Sequence, residues 1–196
     1  PVNYRLSDDK LRDLVARTAP ATVVVGEGVA ERLGSIDGIE VRTSGELLDA
    51  VSDPSVPHAD PYDVDPDAIA VLLYTSGTTG EPKAAVLRQQ NLASYVLSTV
   101  EFAGAAEDEA AIVSVPPYHI AGISAVLSSL YAGRRVVYLR AFDERRWVEV
   151  VESEEITHAM VVPTMLGRIL DEAGGSGGPQ ERLRSLRALS YGGGPM

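Results

Sequence analysis

Short apolar runs alternate with longer amphipathic runs through the second half of the chain, and few folds tolerate that rhythm. Residues near 111–115, 135–139, 158–162 and 187–191 are apolar stretches of strand length, as expected for strands of a covered sheet. Between them, residues 121–131, 143–153 and 164–173 repeat apolar positions at helical spacing. Strands separated by helices of that length are not hairpin partners. Each connection is a crossover, and the strands it joins run parallel. The expectation is an α/β chain built of stacked, mainly parallel sheets with helices.

The first half has a similar grammar. Ser7 can cap a helix over Asp8 to Arg17, with Leu11, Leu14 and Val15 on one face and Pro20 beyond its end. Thr22 to Val25 predicts a strand, Glu27 to Leu33 a short helix and Ile39 to Val41 a second strand. Thr43 and Glu46 have the spacing of a capping box opening a helix over Gly45 to Val51. Residues 52–67 hold four prolines and five aspartates and predict an irregular surface connection. Ile69 to Tyr74 and Ala84 to Leu87 predict two strands around a loop, and Asn91 a cap for a helix reaching Ala103. The small, acidic stretch 104–110 divides the chain into a first lobe, 1–105, and a second, 106–196. Residues 174–179, "GGSGGP", predict a flexible loop.

Bulk composition excludes several classes of function. The net charge of −11 in 196 residues argues against a general nucleic-acid or anionic-membrane surface. There is no cysteine, hence no disulfide and no thiolate metal site. The three histidines, His58, His119 and His158, lack ligand spacing. No signal peptide and no apolar run of membrane-span length is visible, so the expected location is the cytoplasm. The chain opens on Pro1 and stops just after a glycine run, which predicts a piece of a longer polypeptide.

The loop between the two strands carries the chemistry. It reads "YTSGTTGEPK", residues 74–83. Gly77 and Gly80 permit positive φ and let another molecule approach the main chain closely. A turn of small residues can point successive N–H groups into one concavity suited to an anion. Thr75, Ser76, Thr78 and Thr79 add hydroxyl donors, and Lys83 adds a point charge. A nucleoside triphosphate matches that set of donors. The plainer alternative is a turn rich in small residues. A Walker loop is excluded: the glycines are three apart, Lys83 stands three past Gly80, Ala84 follows it, and Pro82 disfavours helical geometry at Glu81. The dinucleotide G-x-G-x-x-G pattern is absent too.

Further stretches fall where an α/β sheet gathers ligands. "PPYHIAG", residues 116–122, places Tyr118 and His119 between a strand end and a helix start. "VVPTMLGRIL", residues 161–170, runs from a strand through Pro163 into an amphipathic helix. "LRALSYGGGPM", residues 186–196, is a strand entering Gly192, Gly193 and Gly194. Taken alone, these stretches read as a satisfied structural histidine, a core-packing helix and a glycine turn. Trp147 reads as a core residue. Glu149, Glu152, Glu154 and Glu155 read as a solvated helix end, and Arg134, Arg135, Arg145 and Arg146 as surface charges.

The ten residues 74–83 closely resemble the signature of the adenylate-forming superfamily, which contains acyl- and aryl-CoA synthetases, peptide-synthetase adenylation domains and luciferases. The signature is [Y/T]-[S/T]-S-G-[S/T]-T-G-x-P-K-G, and the chain departs from it only in Ala84. The other stretches resemble the family's P-x-[FYH]-H-x-x-G, V-P-P/T-x-x-x-x-[IL]-L and G-G-A-P-[LM] segments, with Gly194 in place of the alanine. The opening "PVNYRLSDDKL" resembles a segment within the large N-terminal domain, so the likeness covers nearly the whole chain and identifies it as part of that domain.

The resemblance implies a role for each matched position. Thr75, Ser76, Gly77, Thr78, Thr79, Gly80 and Lys83 would wrap the ATP phosphates. Lys83 and His119 stand as the catalytic candidates, His119 between the acyl site and a CoA channel. Gly192, Gly193 and Gly194 would form the wall against adenine and acyl group. It implies ATP, Mg2+ and coenzyme A as co-substrates and cofactor, and a small carboxylic acid as substrate. The expected reaction forms an acyl-adenylate and then an acyl-CoA thioester, releasing pyrophosphate and AMP. The "PPYHIAG" form looks more like CoA ligases than peptide-synthetase domains. Two alternatives stay open: an adenylation domain that passes the acyl group to a carrier protein, and a non-catalytic nucleotide-binding module. The family's Y-G-x-T-E and T-G-D segments and its mobile C-terminal domain, with a reactive lysine, have no counterpart in these residues. The expectation is that the 196 residues alone form no adenylate.

Overall fold

A computed structural model describes residues 1–57, 63–76, 82–174 and 178–192. The chain separates into two compact units, one of residues 1–68 and 72–86, the other of residues 69–71 and 87–196. The boundary expected near 105 falls inside the second unit.

In the first unit, helix α1 (Asp8–Ala16) leads into one crossover, made of strand β1 (Ala21–Val25), helix α2 (Val29–Leu33) and strand β2 (Ile39–Thr43). β1 and β2 pair in parallel, Ala21 opposite Ile39 through Val25 opposite Thr43. Leu11, Val15, Val25 and Leu33 make the core between sheet and helices. Ser7 is the N-cap of α1, but its side chain makes no capping hydrogen bond, contrary to expectation. The predicted capping box does form. Glu46 N–H donates to Thr43 Oγ1 at 3.2 Å and Thr43 N–H donates to Glu46 Oε2 at 2.6 Å, opening helix α3 (Ser44–Ser52). That hydrogen bond to the Thr43 backbone, then the Thr43 hydroxyl, holds the Glu46 carboxyl below its ordinary pKa. The described parts of 53–68 have no helix or strand. Strands β3 (Ile69–Ser76) and β4 (Pro82–Arg88) pair with each other.

The second unit is a four-stranded sheet, all parallel, in the order β6-β5-β7-β8. The strands are β5 (Ala110–Val113), β6 (Arg135–Tyr138), β7 (His158–Val161) and β8 (Ala188–Tyr191). Their connections are α5 (Ile120–Ala132), α6 (Glu144–Ser153) and α7 (Pro163–Ala173) followed by the short α8 (Pro179–Arg182). The chain first steps from β5 to β6, then reverses across β5 to β7 and on to β8. With right-handed crossovers, that reversal puts α5 on one face and α6 and α7 on the other. All four residues of β5 are accordingly buried. Trp147, Val148 and Val151 of α6 and Ile169 of α7 join Ile112 and Val161 in the main core.

Three local expectations need correction. Helix α4 (Gln89–Thr99) begins before Asn91, which caps from its third position by accepting Arg88 N–H at 2.8 Å. The helix stops at Thr99 rather than Ala103: Val100 is already extended, φ −142° and ψ 152°, and beyond it Ala103 adopts φ 50° with its N–H donating to Tyr131 O at 3.0 Å. Arg134 is not a surface charge. Its side chain is 13% exposed and pairs at 2.9 Å with Glu109, itself 18% exposed. Beyond "GGSGGP", whose residues 175–177 lie outside the described set, the sequence reading missed α8 altogether.

The strand starts are held by side chains as well as by the ladder. Thr157 Oγ1 accepts Ala110 N–H at 2.9 Å and donates to Ala110 O at 3.0 Å, both buried. With its one proton committed to Ala110, that hydroxyl accepts from His158 Nδ1, 2.8 Å away. Burial first, then the positive charge of Arg134, pushes the His158 pKa down against the opposing pull of Glu109; Arg187 adds to the depression. Burial raises Glu109, but the Arg134 hydrogen bond and charge, with His158, leave its carboxyl below the ordinary range.

Thr157→Val removes the acceptor of a buried N–H, so denaturant melts are expected to show a loss of about 1–3 kcal/mol; an unchanged midpoint would contradict the assignment. For His158, a depressed folded pKa means that its stabilising contribution is present above the ordinary value of about 6.5 and is lost as pH falls below it. Glu109 has the same sign in a window below the ordinary carboxylate pKa. Melting temperature is therefore expected to fall on acidification from neutral pH, and His158→Asn to flatten the upper part of that fall; an unaltered slope in the variant would refute the linkage.

Candidate functional site

A parallel sheet collects its strand C-termini, and the loops that follow them, along one edge. Where neighbouring loops leave toward opposite faces, a crevice opens at that edge. In the second unit the reversal of strand order puts that point between β5 and β7. The segments there are residues 114–119, leading from β5 into α5, and Val162–Pro163, leading from β7 into α7. β8 ends beside them, where Gly192 N–H donates to Val161 O at 3.3 Å. The sequence pattern located the edge; the reversal, which singles out one place along it, depends on strand order and had no local signal.

The 114–119 segment is anchored from below. Ser114 is buried, and its Oγ accepts the indole N–H of Trp147 at 3.2 Å. Trp147 is fully buried, as its core reading required. Val115 and Tyr118 are buried as well. His119 N–H donates to Pro116 O at 3.0 Å, closing a tight turn, and His119 becomes the N-cap of α5. The His119 ring is exposed and lies against the Tyr118 ring, centroids 4.8 Å apart and tilted by 52°. A largely buried segment thus presents an exposed imidazole at the C-terminal edge of the sheet. Ser114 is a residue that sequence reasoning passed over, since a single serine after a strand carries no pattern.

The α7 side repeats the logic. Pro163 occupies the first helical position after β7, where its missing N–H costs nothing. Gly192 is half-buried, with open space where a Cβ would stand. Gly193 and Gly194 lie outside the described residues. The structure therefore brings together, in one unit, His119, the start of α7 and Gly192 along the C-terminal edge of the sheet.

The phosphate-loop candidates belong to the first unit. Thr75 and Ser76 are the last residues of β3, and Lys83 is the second residue of β4 and exposed. Gly77, Thr78, Thr79 and Gly80 lie outside the described residues. Because β3 and β4 pair with each other, the segment 77–81 joins paired strands and opens no helix, which agrees with the exclusion of a Walker loop. Among the described residues, no group of three or more His, Cys, Asp or Glu side chains could hold a metal ion. Among them, also, no helix is long and apolar enough to cross a membrane.

Comparison with known proteins bears on this arrangement as a whole. The family model described as AMP-binding enzyme matches residues 1–196. A fatty acid–[acyl-carrier-protein] ligase from Streptomyces coeruleorubidus is 30% identical over 207 residues, spanning 100% of this chain and 39% of the relative. A feruloyl-CoA synthase from an Amycolatopsis species is 32% identical over 203 residues with the same coverage, 100% and 39%. Among solved structures, the Bacillus subtilis O-succinylbenzoate coenzyme A synthetase in complex with AMP superposes with TM-score 0.69 at 25% identity, covering 100% of this chain and 48% of that one. The chain spans about two fifths of the length of the curated relatives it matches, at 39%.

Proposed function

The chain belongs to the AMP-binding enzyme family, and we propose that it forms part of an AMP-forming acid–thiol ligase. The intact protein would join a carboxylic acid to coenzyme A through an acyl-adenylate. The observation that carries this reading is the glycine- and hydroxyl-rich run 74–83 connecting a pair of strands, in a chain whose whole length matches the family.

In the first step a carboxylate oxygen attacks the α-phosphorus of ATP. The bond to the bridging oxygen breaks, and pyrophosphate leaves with the electron pair. Such displacements need positioning and charge neutralisation more than covalent help from the protein. Backbone amides of residues 77–80, the hydroxyls of Thr75, Ser76, Thr78 and Thr79, and the Lys83 ammonium would hold the β- and γ-phosphates, where the leaving charge accumulates. Magnesium, when bound, would supply further neutralisation there. In the second step a thiolate sulfur attacks the acyl carbonyl of the adenylate, and AMP departs. His119, on the crevice rim of its unit, would border the path of the thiol, with Gly192, Gly193 and Gly194 in the wall beside adenine and acyl group. These assignments follow the motif positions.

The acceptor has two candidates. The Tyr118-His119 form of its segment favours coenzyme A. The likeness to a fatty acid–[acyl-carrier-protein] ligase favours a carrier-protein thiol. Offering both acceptors to the whole protein with a panel of carboxylic acids, and scoring AMP release, separates them: AMP release that depends on coenzyme A supports the first, and release that depends on carrier protein alone supports the second.

The phosphate assignment has its own test. In the whole protein, Lys83→Ala combined with Thr78→Ala is expected to lower turnover by roughly 100-fold or more, the scale for removing a preorganised donor from developing charge. Calorimetric titration with MgATP is expected to weaken in parallel. Unchanged affinity and turnover in the double variant would refute the assignment.

A further inference from the structure

We propose that Gly122 is the positioning residue that fixes where His119 stands, because only a residue without a Cβ lets α5 start so close to the turn that carries the imidazole. The inference deepens the ligase reading and rests on it for the role of His119; the geometry stands without it.

Gly122 is the third residue of α5 and is buried. A Cβ built on it would lie 2.7 Å from Pro116 O, 2.8 Å from Val115 O and 3.1 Å from Pro116 C. Among the described glycines, it is the one whose added Cβ would come within 3.0 Å of backbone atoms. Gly34 meets a contact of 2.7 Å as well, but with the tip of the Arg12 guanidinium, which can swing away. A carbonyl in a tight turn cannot. One of the two oxygens is also the acceptor that closes the His119 turn, at 3.0 Å from His119 N. Gly122 N–H in turn donates to His119 O at 3.0 Å. Gly122 therefore holds the His119 backbone from one side while leaving room for the Pro116 carbonyl that holds it from the other.

The strain of a methyl group at 122 has few outlets. Ser114, Val115 and Tyr118 are buried, so the segment cannot sink toward the sheet. Ser124 and Ser129 of α5 are buried too, so the helix resists sliding outward. The remaining freedom is at the Pro116–His119 turn, whose exposed end is the His119 ring. Gly122→Ala is expected to lengthen the hydrogen bond from His119 N–H to Pro116 O and to move the imidazole off Tyr118. A displacement on the order of 1 Å at a reacting group can cost on the order of 100-fold in rate.

The test uses the whole protein with histidine-selective isotope labelling, the His119 signal being assigned by its loss in His119→Gln. Gly122→Ala is expected to shift that signal and to remove its nuclear Overhauser contacts with the Tyr118 ring. Gly167→Ala, a helical position with open space around the added Cβ, is expected to leave both unchanged. For thioester formation, Gly122→Ala is expected to lower kcat about 100-fold with little change in KM for ATP. In a His119→Ala background it is expected to have almost no further effect. An unmoved His119 signal in Gly122→Ala, or losses that multiply with His119→Ala, would overturn the proposal. If Gly122→Ala fails to fold, the wild-type spectrum decides: contacts between the His119 and Tyr118 rings support a held imidazole, and their absence overturns it. A wild-type protein with no ligase activity would sink the functional reading, and the spectra would still decide the role of Gly122.

Discussion

Burial of β5 on both faces organises the second unit. Ala110 to Val113 are buried, and a strand covered on both sides can deliver polar groups only at its ends. Helices on opposite faces require the chain to reverse direction in the sheet, and the reversal sets the crevice between β5 and β7. The polar residues follow that division. At the strand starts stand Glu109, Arg134, Thr157 and His158, joined by hydrogen bonds and ion pairs. At the strand ends stand Ser114, His119 and Gly192. The first set closes on itself and holds strands in register. The second leaves an imidazole exposed, which is what a site needs and a scaffold does not.

Two kinds of anchor keep the crevice edge fixed. Trp147 reaches from α6 to Ser114, so the helix layer holds the first residue after β5. Pro163 starts α7 without leaving an N–H unsatisfied at the neighbouring strand end. The first is a buried side-chain hydrogen bond and the second a backbone device, and both stand at the strand ends. An edge built this way can present groups at reproducible positions.

Much of the fold was legible in the residues because local pattern and tertiary demand coincide. The apolar runs at 110–113 and 158–161 could be little other than covered strands, and the Thr43–Glu46 pair announced a helix start by its own chemistry. Misreadings occurred where a neighbour far along the chain decides. The chain leaves α4 at Val100 and Ala103 is tied instead to the distant Tyr131 carbonyl, and Arg134 is covered because Glu109 awaits it at the neighbouring strand. Asn91 caps as its residue type suggests, but from inside the helix, since the same side-chain oxygen serves either position. Strand order was illegible because each crossover helix is long enough to step either way. For the site, the motifs named His119 and Gly192 but not Ser114 or the closeness of Gly122 to Pro116, which exist only in three dimensions.

The functional account stands on one physical proposition: the connection between β3 and β4 uses its amides, hydroxyls and Lys83 to hold a nucleotide's phosphates. The most direct measurement is hydrogen–deuterium exchange of the whole protein with and without MgATP, followed at peptides spanning residues 74–83. The account predicts marked slowing of exchange there on nucleotide addition, and less slowing with AMP, which lacks the β- and γ-phosphates. Exchange at 74–83 that is indifferent to MgATP, while the nucleotide demonstrably binds, would contradict it.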